Sequence, residues 1–214
     1  MTGANIMNPT GRMWPVVDEG QAYLLGILAG GFVKSERGVV ELELSGGEKR
    51  IARLFEGLRI GRVSVARGRV RVRGKHLSQD LADAGLPLDG AWQLPVLPDP
   101  LRHAFVRGLF DVRAELPDPS GHDSLCCSLT TRSGLAEAVG AHYAGAHLAN
   151  AGAFVTLTWY GVNALDTLGS LYESATLFRK SRRRSYLAWA SAFPARSSRE
   201  SEFCFQWTAC HAGA

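Results

Sequence analysis

Ala22-Tyr23-Leu24-Leu25-Gly26-Ile27-Leu28-Ala29-Gly30-Gly31 and Ala104-Phe105-Val106-Arg107-Gly108-Leu109-Phe110-Asp111-Val112-Arg113 are two versions of one pattern, an apolar helix with glycine at its middle. A mid-helix glycine costs about 1 kcal/mol relative to alanine, so helix propensity does not account for it. Close approach of two backbones does. The pair therefore predicts helices that cross at Gly26 and Gly108, with Gly30 and Asp111 at the same interface and the two halves of the chain related by a pseudo-twofold axis.

The order of elements after each helix also repeats. The first is followed by a strand over 39–44, a helix over 48–58, strands over 62–66 and 69–73, and a helix over 77–84. After the second come a strand over 125–130, a helix over 134–148, one long or two short strands over 153–160, and a helix over 162–172. Alternating β-branched residues predict the strands, and 3.6-residue apolar spacing the helices. Residues 86–100 carry Pro87, Pro95, Pro98 and Pro100, the composition of an extended, stiff connector. The predicted organisation is a first lobe over 14–85, that connector, a second lobe over 101–190, and a tail over 191–214.

With 214 residues, 46% of them hydrophobic, the chain can bury a real core, which excludes a disordered tail or a disulfide miniprotein. No apolar run approaches the roughly 18–20 residues of a membrane span. The first residues lack the basic and apolar blocks of a secretory signal, so a cytoplasmic protein is expected. Cys126-Cys127 and Cys204-x5-Cys210 have neither zinc-site nor redox spacing. No metal is expected from them or from His211.

Net charge is +4, and of 24 basic residues only four are lysine. Arginine forks suit phosphates and base edges. Residues 59–75 contain seven basic residues and no acid. Strict alternation places Arg69, Arg71 and Arg73 on one face of a strand and Val70 and Val72 on the other, a comb whose teeth stand roughly 6.6 Å apart. Arg62, Arg67 and Lys75 extend it. The matching strand of the second lobe presents either Thr156, Thr158 and Tyr160 or Val155, Leu157 and Trp159, according to register. Basic character returns in Arg179, Lys180, Arg182, Arg183 and Arg184, as a grip on nucleic acid or as the C-terminus of a helix complementing its dipole.

Asp18-Glu19-Gly20-Gln21 leading into Ala22–Gly30, Leu94-Pro95 followed by Leu101–Asp111, and the closing run Leu171-Tyr172-Glu173-Ser174-Ala175-Thr176-Leu177-Phe178-Arg179-Lys180 resemble the LAGLIDADG homing endonucleases in their single-chain, two-motif form. The resemblance runs from Trp14 to Trp189. It implies an α+β fold of two pseudo-symmetric αββαββα lobes, joined at paired motif helices. Each lobe would carry a curved antiparallel sheet for the DNA major groove, within a monomer.

In that family an acid ends each motif helix, and the two hold divalent metal between the scissile phosphates. Hard Mg2+ requires such oxygen ligands. Here those positions are Gly31 and Arg113, and the glycine that follows in the family is replaced by Phe32 and Ala114. The resemblance thus implies a protein that binds double-stranded DNA without cutting it and needs no cofactor, with Arg113 adding positive charge near a bound phosphate. Lys180 takes the place of a basic residue that lies near the family's active site. Two alternatives stand beside this one. The first is a Mg2+-dependent endonuclease with a displaced acid, Asp111 or Glu115. The second is a maturase that binds structured RNA.

Overall fold

Gly26 and Gly108 sit where two backbones touch. A Cβ on Gly26 would lie 1.9 Å from the Phe105 carbonyl oxygen, and one on Gly108 would lie 2.1 Å from that of Tyr23. Tyr23 precedes Gly26 by the same interval as Phe105 precedes Gly108, so this is one contact repeated about an axis. The helices that carry them are α1 (Glu19–Gly31) and α4 (Asp99–Arg113). α1 is buried continuously from Gln21 to Gly31 and α4 from Ala104 to Asp111. Burial from all sides is the reason α1 has no polar stripe.

The computed structural model describes residues 12–36, 39–44, 47–87, 91–122 and 124–193. After α1 come β1 (Phe32–Glu36), β2 (Val39–Glu43), α2 (Glu48–Gly57), β3 (Arg62–Ala66), β4 (Arg69–Arg73) and α3 (Leu77–Asp83). After α4 come β5 (Ala114–Glu115), β6 (Cys126–Arg132), α5 (Ser133–His142), β7 (His147–Ala151), β8 (Phe154–Tyr160) and α6 (Gly161–Tyr172). A further helix, α7, covers 180–193. Each lobe is therefore αββαββα. The sheets are antiparallel and run in the same order, β1-β2-β4-β3 and β5-β6-β8-β7. β1 and β5 each begin at the residue after a motif helix, so both sheets start from the joined helix ends.

The inner sheet faces follow the alternation. Val40, Leu42, Val70 and Val72 of the first lobe and Cys127, Leu129, Val155, Leu157 and Trp159 of the second are buried in one continuous core with α1 and α4. Among the described residues no helix is long and apolar enough to cross a membrane.

Three expectations need correction. The short edge strands β1 and β5 have no counterpart in the sequence reading; β5 is two residues long, too short for an alternation to register. The helix predicted over 134–148 ends at His142, because Tyr143 turns to extended backbone and Gly145 takes φ 79°, and the residues beyond form β7. The basic run at 179–184 opens α7 and is not a helix C-terminus. The described part of the connector packs against the fold. Trp92 is buried, donates from Nε1 to the Pro87 carbonyl at 2.8 Å, and lies under the Arg132 guanidinium at 4.5 Å. α4 already begins at Asp99, with Pro100 in its first turn, where a missing N–H costs nothing. The tail residues Cys204, Cys210 and His211 lie outside the described residues.

Candidate nucleic-acid interface

On β4, Val70 and Val72 are fully buried while Arg69, Arg71 and Arg73 are exposed. The register supplies their neighbours. Across the outer face of the first sheet run three rows: Glu43–Arg69–Ala66, Glu41–Arg71–Ser64 and Val39–Arg73–Arg62. Arg67 and Gly68 close the β3–β4 hairpin with φ of 49° and 77°, the positive pair of a type I′ turn, which holds the exposed Arg67 at its tip.

The basic run has no acid in sequence, yet it has one in space. Arg69 Nη1 donates to Glu41 Oε1 and Arg71 Nε to Glu41 Oε2, both at 2.8 Å, and Arg69 lies 4.0 Å from Glu43. Those two guanidinium groups hold the Glu41 carboxyl below its ordinary range. Two teeth of the comb are thus partly neutralised by β2. Arg73 and Arg62 stand opposite each other in the third row, where β2 contributes Val39. Among the described residues neither pairs with a carboxylate, nor does the exposed Lys75.

The second sheet faces outward with Ser128, Thr130, Thr156, Thr158 and Tyr160, and buries Val155, Leu157 and Trp159. This decides the register that the sequence leaves open. Thr130 and Thr156 share a hydroxyl hydrogen bond of 2.9 Å. The described outer face is nearly neutral, with Glu115 on β5 opposite Ser128 and Arg132 turned onto Trp92.

Gly31 is the last residue of α1 and Arg113 the last of α4. The helix ends meet closely: a Cβ on Gly30 would lie 3.0 Å from that of Val112. Helix C-termini carry partial negative charge, and here each is met by a guanidinium. Arg113 Nε donates to the Gly30 carbonyl at the end of α1, and Arg182 Nη2 to the Ala114 carbonyl at the end of α4. A Cβ at residue 31 would stand 3.3 Å from Leu44 Cδ2 and 3.4 Å from Leu42 Cβ, so a carboxylate there would start against apolar side chains. These residues do not fit a divalent cation. Glu115 is exposed on β5 as a single carboxylate, and no group of three metal-ligating side chains occurs among the described residues.

Asp111, one of the two candidate displaced acids, is engaged inside the fold. It is buried and accepts hydrogen bonds from Tyr23 Oη and Tyr172 Oη at 2.7 Å each and from the Arg179 backbone N–H at 2.5 Å. Burial pushes its carboxyl above the ordinary range and also raises both tyrosine hydroxyls. Moving it half a turn would break all three bonds. Asp111 therefore ties α4 to α1, to α6 and to the start of α7. Arg107, which the sequence reading does not single out, works beside it: Nε and Nη1 donate to the Leu177 and Leu171 carbonyls at 2.6 and 2.9 Å, and Nη2 pairs with Glu19. The available signal is an arginine in the middle of the apolar stretch 104–110, which needs buried partners.

The basic residues at 179–184 divide in two. Arg179 donates to the Asp111 carbonyl at 3.2 Å, Arg182 caps α4, and the Arg183 guanidinium lies 4.5 Å over Phe178. These three serve the fold. Lys180 and Arg184 are exposed, and Lys180 lines a cavity of about 240 Å³ with Tyr23, Arg50, Asp111 and Arg179.

No protein-family model matches the chain, and no curated protein is significantly similar to it. Solved structures share its fold. Full-length DUF199/WhiA from Thermatoga maritima aligns with a TM-score of 0.56 and 12% identity over 85% of this chain, which spans 64% of that protein's length. The N-terminal LAGLIDADG domain of DUF199/WhiA aligns at 0.53 and 11% identity over 80% of this chain and 89% of the domain. I-DmoI, crystallised in complex with DNA and Mn, aligns at 0.50 and 14% identity over 74% of this chain and 98% of its own. At these identities the likeness is one of fold, and the fold is LAGLIDADG-like.

Proposed function

We propose that this chain binds double-stranded DNA as an internally symmetric monomer and does not cleave it. The observation that carries the reading is the junction of the two motif helices, where Arg113 donates to the Gly30 carbonyl and neither helix ends on a carboxylate. Metal-assisted phosphodiester hydrolysis needs a cation held by oxygen ligands beside the scissile phosphate. A guanidinium there repels such a cation while attracting a phosphate.

Binding is supported by the exposed arginines of the first sheet, by Lys180 and Arg184, and by the solved neighbour that holds DNA. The second sheet offers hydroxyl groups, which contact phosphates or base edges without adding charge. The test is selection of bound duplexes from random DNA, followed by competition with structured RNA and incubation with Mg2+. A selected duplex that resists RNA competition and stays intact is the expected result. Displacement by RNA at lower concentration than by unlabelled duplex would replace DNA with RNA as the ligand.

A further inference from the structure

Arg59, Arg62, Arg73, Lys75 and His76 surround an open bay of about 650 Å³ at one end of the first sheet, where α2 leads into β3 and β4 leads toward α3. We propose that this bay is a phosphate site and that, in the DNA complex, it grips the backbone; this second part rests on the DNA-binding reading above.

Charge is the first support. The outer residues of β2 are Glu43, Glu41 and Val39, so acid covers the rows of Arg69 and Arg71 and stops at the row of Arg73. Like charges directly opposite each other on a sheet are destabilising, yet Arg62 and Arg73 hold that relation without a carboxylate partner among the described residues. Glu56 is the one acid lining the bay, against four arginine and lysine side chains.

Shape is the second. A Cβ on Gly61 would fall 2.1 Å from the Arg73 carbonyl oxygen, and one on Gly74 would fall 2.8 Å from that of Ile60. The two glycines thus let the backbone entering β3 and the backbone leaving β4 touch, which holds Arg62 and Arg73 side by side at the edge of the bay. Arg59 stands at the rim, one residue past the C-cap of α2, where its φ of 54° ends the helix and turns the chain into the bay. Phosphate oxygens suit paired guanidinium forks.

The test uses the full chain carrying R62A/R73A, with R62Q/R73Q as a second pair, each checked by thermal unfolding. Affinity for a labelled duplex is measured against salt, and side-chain NMR of the wild type is followed on adding inorganic tripolyphosphate. The expected results are a salt slope lowered by about 1.8, the release of two phosphate contacts, and saturable shifts at Arg62 and Arg73. An unaltered slope in folded variants, with wild type still binding duplex, overturns the bay and leaves DNA binding standing. Tripolyphosphate saturation at Arg62 and Arg73 in a wild type that binds no duplex keeps the phosphate site and removes DNA as its source. Failure of both overturns both.

Discussion

The two lobes share a strand order and a helix crossing, yet the described parts of their outer sheet faces differ in charge. The first sheet carries Arg62, Arg69, Arg71 and Arg73 beside Glu41 and Glu43; the second carries serine, threonine and tyrosine. Positions that face the core and the axis are constrained by packing in both halves. Those that face outward are free to differ, and they have separated into a charged half and a neutral one. The helix ends differ as well, with buried Gly31 closing α1 and exposed Arg113 closing α4.

The largest expected effect tests what the halves share. Gly26→Ala and Gly108→Ala each drive a methyl into the opposing backbone, and each should cost about 3 kcal/mol or more in denaturant unfolding. Equal losses sharpen the symmetry, whereas a tolerated alanine at one site breaks it. Next comes an asymmetric buried residue. The counterpart of Asp111 in the first half is Ala29, so only one helix carries a carboxylate at this position. Asp111→Ala strands two tyrosine hydroxyls and an N–H, with an expected loss of about 2–4 kcal/mol.

Smaller effects separate core from surface. Val72→Ala should lower stability by roughly 1–2 kcal/mol and leave the salt dependence of DNA binding unchanged, since its side chain faces the core. Thr156→Val and Thr158→Val in the second lobe should likewise leave the salt slope alone. Glu41→Gln is expected to disturb stability least, because it removes exposed ion pairs. It would free Arg69 and Arg71 and steepen the slope by up to about 1.8. A slope unaffected by Glu41→Gln would mean that these two arginines do not reach DNA.

Much of this was legible in the sequence because local chemistry decided it. The paired glycines announced the crossing, and valine–arginine alternation placed β4 and its faces. It is the resemblance to the LAGLIDADG motifs that marks Gly31 and Arg113 as non-acidic helix ends. What was hidden depends on distant residues. Glu41 neutralises Arg69 and Arg71 only through the β2–β4 register, and Arg182 and Arg183 are drawn into the fold by carbonyls and a ring that no spacing announces. The apolar pattern of α5 continues past Tyr143 and so predicts too long a helix, whereas Gly145 turns the chain. The bay was half visible: its cations lie in one run, but Val39 in place of a third acid is a fact of pairing.

The most direct test of the central claim is a single reaction, in which the full chain is incubated with its selected duplex in a plasmid, with Mg2+ or Mn2+, at saturation. The expected result is a fully bound and uncut plasmid. Metal-dependent double-strand breaks at the selected site, lost on Asp111→Ala or Glu115→Ala, would contradict it.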